Sequence, residues 1–396
     1  MRILWASPAP WCFSGYGVVS ANVVPRLAAA GHEVAIFAVY GHKGAPTAWN
    51  GIQVYGNEAN DWGNALGQHY YKEWNADILL TLFDIWVSPD WTKKGVRWVP
   101  YFPVDHQPVP PIVAEHFPRA WELIAMSRYG QKEAERLGHK AAYVPHGVDT
   151  RVFFPRPERE DVRQVMQWEG KFVVGTVGTN ITGRKNYDAM LQAFAEFHRD
   201  KPDSIFYCHT NPRDAKGYPL AEEARALGLG HAVQFPDEAG LINGFEPDLM
   251  ASVYSGMDAF MLLSKGEGFG LPIIEAQACG VPAVITDFTA MSELAGPGFK
   301  VRVDRLEWDF QAAWWAQADI HDAAHALRRL YAEWKRGDHS RNEKAREFAL
   351  QYDWDTVVKD YWLPILANME GRLSERLKVE TVAFPGDGHK ELLPVT

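Results

Sequence analysis

Short apolar runs alternate with helical patterns along most of the chain. In the first 145 residues the runs are Ile3–Ala6, Val34–Val39, Ile78–Leu82, Trp98–Phe102, Leu123–Met126 and Ala141–Val144, each of strand length. A second series follows at Phe172–Val177, Ile205–Cys208, Val233–Phe235, Ala259–Leu263, Ala283–Ile285 and Phe299–Val303. Strands alternating with helices predict parallel sheets covered on both faces, so the expected fold is α/β, with two doubly wound, Rossmann-like domains. The charged stretch Arg156–Glu169 carries no strand pattern and is placed as the linker, giving domains at 1–150 and 151–352. After Asp304 the pattern is helical, including Asp322–Lys335 and Arg341–Tyr352. Pro25, inside the first helix, is expected to kink it.

The stretch Ser264–Val284 carries the chemistry. Glycines at 266, 268 and 270 feed a helix in which Pro272 suits the first turn, and Gly280 with Pro282 ends it. Such a loop presents free amides and the positive end of a helix dipole to an anion, a cradle for phosphate. Two carboxylates, Glu267 and Glu275, stand beside it. They would repel phosphate, so they are expected to accept hydrogen bonds from hydroxyl groups flanking it; a nucleotide diphosphate sugar has hydroxyls on both sides. Arg184 and Lys185 stand before a helix starting near Asn186, where cations oppose the helix dipole unless an anion is present. Asp84, Trp86, Asp105 and His106 follow strands, and the carboxyl ends of strands in a doubly wound sheet face the ligand crevice. Gly15 and Gly17 open the first helix. They do not make a dinucleotide site, because Ser20 holds the third glycine position and the second strand ends at Val39 and Tyr40 without an acid.

EGFGLPIIE, with Glu267 and Glu275 eight apart, resembles the E-x7-E signature of retaining glycosyltransferases of family 4, which have the GT-B fold. The resemblance implies that Glu267 faces the donor sugar, that the amides around Gly268, Phe269, Gly270 and Leu271 contact sugar and phosphate, and that Glu275 holds the ribose. It places His106 near the reacting hexose as a catalytic residue beside Glu267. It makes the loop of Gly15 and Gly17 a cover for the donor phosphate, and Arg184 and Lys185 the pair that neutralises the diphosphate. Thr179 stands where the family often has an arginine. HGVDTRVFFP is similar to the family's domain junction, with His146 in place of asparagine, and the Pro236–Phe245 loop lies where the family receives the base. A helix at 353–373 would cross back to the first domain, leaving a loosely held tail at 374–396.

The implied activity is metal-independent transfer of a hexose, with retention, from a UDP- or GDP-sugar. No tightly bound cofactor is expected, and Asp353-Trp354-Asp355 is expected to cap a helix rather than bind metal. Asp84, Trp86 and Asp105 are the acceptor-side candidates. The acceptor stays open among a small glycoside, a lipid-linked sugar, a glycan and a hydroxymethylated base in DNA. The last comes from YGHKGAPTAWNGIQVYG and LTLFDIW, which resemble segments of glycosyltransferases in microbial and phage genomes. A non-catalytic sugar-nucleotide binder and a GT-B epimerase are the alternatives.

Composition changes this little. A net charge of -10 over 396 residues disfavours a broad electrostatic grip on nucleic acid or anionic membrane. Three scattered cysteines and no apolar run of membrane-spanning length suggest a reducing, cytoplasmic setting. The 16 tryptophans suit sugar stacking and core filling alike. Nothing indicates an oligomeric state.

Overall fold

The computed structural model describes residues 1–59, 61–181, 183–237, 240 and 244–382. The first sheet contains β1 (Arg2–Pro8), β2 (Glu33–Tyr40), β3 (Thr47–Trp49), β4 (Ile52–Tyr55), β5 (Ile78–Leu82), β6 (Trp98–Phe102), β7 (Leu123–Ala125) and β8 (Ala141–Tyr143). Their order is β3-β4-β2-β1-β5-β6-β7-β8, parallel except for β3 against β4. The second contains β9 (Phe172–Val177), β10 (Ser204–His209), β11 (Val233–Gln234), β12 (Ala259–Leu262), β13 (Ala283–Thr286) and β14 (Phe299–Val301), all parallel, in the order β11-β10-β9-β12-β13-β14. The strand order reverses between β1 and β5 in one sheet and between β9 and β12 in the other. Ligand crevices form beyond the carboxyl ends of strands at such reversals.

Period-two alternation explains how each sheet is covered twice. In β1, Ile3 and Trp5 join an apolar cluster shared by both domains, while Leu4 and Ala6 face a separate cluster on the outer side. In β9, Val173 joins the shared cluster and Phe172 and Val174 face the outer one. Tryptophans 5, 91, 98, 168, 354 and 362 are among the largest fully buried side chains, so much of the tryptophan content fills cores.

The chain passes between the domains twice, side by side. Val148 donates to the Tyr352 carbonyl at 2.8 Å and accepts from the Trp354 amide at 3.2 Å. A Cβ on Gly147 would fall 2.6 Å from the Trp354 ring, so only glycine fits this crossing. Asp353 caps the helix Trp354–Val357 and also accepts from the Thr150 hydroxyl at 2.5 Å. A π-helical turn, Val358–Trp362, leads into the helix Leu363–Val382. This segment lies on the first domain. Trp362 packs on Trp5 and Tyr101, and Glu370 pairs with the amino terminus at 2.7 Å.

Several expectations are corrected. The last helix continues past residue 373 to Val382, so part of the expected tail is helical, and 383–396 lie outside the described residues. The linker stretch contains a helix, Arg159–Val165. Strands β3 and β4 were not anticipated. After Asp304, where helix was expected, the chain forms an antiparallel hairpin of β15 (Val303–Trp308) and β16 (Trp314–Ala318). No helix among the described residues is long and apolar enough to cross a membrane.

Candidate active site

The site is assembled from the loops after β1, β5, β6, β9 and β12. After β9 the chain reaches Arg184 and Lys185, then Asn186, which takes a left-handed φ of 57° and bonds the Leu263 carbonyl at 3.0 Å. That bond ties the start of the helix Tyr187–His198 to the end of β12 and brings both cations over the glycine loop. Arg184 donates to Glu267 Oε2 at 2.7 Å and to the Gly266 carbonyl at 2.8 Å; Lys185 Nζ donates to Glu267 Oε1 at 2.6 Å. Ser264 donates to the same Oε1 at 2.7 Å. The anion facing the two cations is therefore the protein's own carboxylate.

Burial pushes the Glu267 carboxyl up, but Arg184, Lys185 and the hydrogen bonds from Lys185 and Ser264 outweigh it and hold it down at about 2. Burial also draws Lys185 below the usual lysine range, with Glu267 opposing. The crevice is walled on both sides yet open to solvent, so Arg184 keeps 28% of its side-chain surface while being largely surrounded by protein.

The glycine loop has two duties. A Cβ on Gly266 would fall 1.8 Å from the Asp105 carbonyl oxygen, and one on Gly268 would fall 2.3 Å from Pro103 Cβ. These glycines let the second domain's loop close against the first domain, a use the sequence did not reveal. Gly270, at φ 112°, turns the chain into the helix Leu271–Ala278. The amides of Gly268, Phe269, Gly270 and Leu271 donate to no protein acceptor among the described residues, as an anion cradle at a helix start requires. The Phe269 ring is buried against His146 and Tyr352. Glu275 accepts from the Tyr254 hydroxyl at 3.0 Å, and burial raises its carboxyl to about 7.

Across the crevice, a Cβ on Gly15 would lie 3.4 Å from Leu271 Cδ1, so the first domain's glycine turn meets the start of the helix Leu271–Ala278. Gly17 serves the turn itself: a Cβ there would strike the Cys12 carbonyl, and its amide is held by Ser14. Asp84 is exposed to the crevice, and its surroundings of protein, with Asp105 next, push its carboxyl up to about 6. Trp86, partly exposed, makes none of these contacts.

His106 is placed differently from expectation. It is fully buried, with Nδ1 2.7 Å from Asp105 and Nε2 3.2 Å from Asp309, and its ring stacks on Trp315. It has no free nitrogen for a hexose. Asp309 and Trp315 belong to the unanticipated hairpin, which also pairs its backbone with Gln107. A further missed residue is Glu293, whose carboxylate accepts the Arg128 amide at 2.9 Å and the Tyr129 amide at 2.5 Å, capping a first-domain helix from the second domain. Local sequence shows no sign of either contact, since the partners lie more than a hundred residues away. In the expected base-binding loop, residues 238–239 and 241–243 lie outside the described residues; Phe245 packs edge-on to His209. Among the described residues no group of three or more His, Cys, Asp or Glu is placed to hold a metal ion.

Residues 171–333 match the family described as glycosyl transferases group 1. The match takes in about two fifths of the chain. It begins at β9, and within it stand Arg184, Lys185, Glu267 and Glu275. Mannosylfructose-phosphate synthase of Agrobacterium fabrum is 30% identical over 154 residues, 36% of this chain and 32% of that protein. The lipopolysaccharide core biosynthesis mannosyltransferase LpsB of Rhizobium meliloti is 31% identical over 172 residues, 41% of this chain and 46% of that one. The chain thus aligns with less than half the length of either. Over the whole molecule, sucrose-phosphate synthase of Thermosynechococcus elongatus superposes with a TM-score of 0.70 at 16% identity, covering 96% of this chain and all of that one. HepE of Anabaena, solved with UDP and glucose, does so at 0.70 and 17%, covering 93% and 99%. The fold is therefore GT-B, and the matched stretch lies in its second half.

Proposed function

We propose that the chain transfers a hexose, with retention, from a nucleotide diphosphate sugar to a hydroxyl acceptor. The observation that carries this reading is the convergence of Arg184, Lys185 and the unpartnered amides at the start of the helix Leu271–Ala278 around Glu267, with Glu275 one helical turn further along. The amides and cations take the diphosphate, Glu275 takes the ribose hydroxyls, and Glu267 takes hexose hydroxyls. As the bond between the anomeric carbon and the diphosphate breaks, charge grows on the leaving oxygen beside Lys185 and Arg184, which stabilise it without a metal. The acceptor hydroxyl attacks on the face the diphosphate leaves and passes its proton to the departing phosphate oxygen, so no protein nucleophile is needed. Asp84, open to the crevice from the first domain, faces the acceptor. Asp105 and His106 position the wall: Asp105 supports the glycine loop, and His106 locks the hairpin to it.

The group 1 relatives include mannosyltransferases, which favours GDP- and UDP-sugars as first donors to try. Thermal shift against UDP-, GDP-, ADP- and dTDP-sugars, with and without Mg2+, tests the proposal: a ligand that binds only the native state raises its melting temperature. A selective shift that does not need Mg2+ supports it; no shift with any donor sinks it.

Glu275 gives a pH test. Its ionised form is the better acceptor for ribose hydroxyls, and its carboxyl stands at about 7, so donor affinity is expected to rise as pH passes from 6 to 8. Glu275→Gln should flatten that rise, and Glu275→Ala should weaken donor use by at least about tenfold, the worth of one charge-assisted hydrogen bond. Stability runs the other way. With the folded value raised above about 4.5, the group's stabilising contribution is complete below about 4.5 and is lost by about 7. A pH profile of donor affinity identical in wild type and Glu275→Gln would remove Glu275 from the ribose site.

A further inference from the structure

The two cations assigned to the diphosphate are already engaged. Lys185 and Arg184 each donate to a different oxygen of Glu267, at 2.6 and 2.7 Å, and the Arg184 guanidinium also lies 3.9 Å from Asp105. Two positive charges thus face two negative ones, so an incoming anion meets cations that are already paired, with only the unpartnered amides of the glycine loop left to attract it. Ser264 fixes the carboxylate from behind, and the Thr289 hydroxyl holds both the amide and the carbonyl of Glu267 at 3.2 Å, so the acid cannot swing away freely. A diphosphate must compete for the cations with an acid built into the site. Glu267, once displaced, is a buried carboxylate in need of new donors. The hydroxyls of a hexose are such donors, and a nucleoside diphosphate without its sugar has none to offer at that position.

Resting on the donor site proposed above, we infer that Glu267 is an internal stand-in for the diphosphate: it yields Arg184 and Lys185 only when a hexose arrives to replace them, and reclaims them after transfer. Glu267 thereby selects the intact nucleotide sugar over the free nucleotide and expels the product. Before transfer the sugar satisfies Glu267 and the cations serve the diphosphate. After transfer the sugar departs with the acceptor, and the carboxylate returns to the cations in competition with the leaving nucleotide. The same acid therefore favours the loaded state and opposes the spent one.

Calorimetric titration of inorganic pyrophosphate, UDP and GDP into wild type and Glu267→Gln, in metal-free buffer, tests this. Glutamine keeps the shape and the Ser264 contact but gives up the charge. The variant is expected to bind pyrophosphate, and whichever nucleotide matches, at least about tenfold more tightly than wild type, although it transfers sugar poorly. Ser264→Ala is the milder companion: loosening one hydrogen bond on Glu267 should tighten the same ligands about threefold. If wild type binds a nucleotide diphosphate and neither variant binds it more tightly, the stand-in role is overturned while the donor site survives. If neither wild type nor Glu267→Gln binds any of the three, the donor site itself falls, and the stand-in role with it.

Discussion

Lys185→Ala is expected to lower kcat by about 10²–10³, the loss seen when one preorganised donor to a developing charge is removed. Lys185 is nearly buried, and its ammonium pairs with Glu267. In the transition state its ammonium would sit against the leaving diphosphate in a place water reaches poorly, where a single charge counts for more than at the surface. Arg184 remains in the variant, anchored by the Gly266 carbonyl, so the loss is partial. Initial rates at saturating acceptor, with the donor found by thermal shift, measure it. The acceptor KM should hardly move. A variant with unchanged kcat, or one that loses acceptor affinity instead, would remove Lys185 from the phosphate.

Trp362→Ala is expected to destabilise the protein by about 3–5 kcal/mol, the range for deleting a large buried aromatic side chain. Trp362 is fully buried at the π-helical turn, its ring 5.5 Å from Trp5 and 5.0 Å from Tyr101 between centroids. Its indole nitrogen has no hydrogen-bond partner among the described residues, so the expected loss is one of packing. Because the crossing segment docks the chain's end onto the first domain, the first domain should soften before the second. Hydrogen exchange would show this as faster exchange in β1 and β6 with β9 and β12 unchanged; uniform protection in wild type and variant would contradict it.

Much of the scaffold was legible because the strands of a doubly covered sheet are buried on both faces and appear as unbroken apolar runs. Ile78–Leu82, Trp98–Phe102 and Phe172–Val177 were placed to the residue for that reason. The hairpin escaped because its strands are half exposed and interleave charges with aromatics: Val303–Trp308 has the sequence VDRLEW, and its turn, DFQAA, lacks the Asn-Gly or Asp-Gly signal of a tight hairpin. In the site, cations and acids could each be picked out from their positions beside strand ends and helix starts. Their pairing could not. Arg184 and Lys185 both pair with Glu267, 83 and 82 residues further on. His106 was misjudged for a similar cause: its second partner, Asp309, is 203 residues away on the hairpin, and only folding shows that both ring nitrogens are occupied.

The seam between the domains ties the fit of each half to the other. Gly266 and Gly268 lie against Asp105 and Pro103 with no room for a methyl group, and Glu293 finishes a helix that belongs to the other half. A chimaera that joined this donor half to the acceptor half of a relative would have to import Pro103, Asp105 and the helix after Ser127 in register, or lose the pocket along with the seam. Single side chains in the crevice, such as Asp84 and Trp86, are free of that constraint and can change without disturbing the seam.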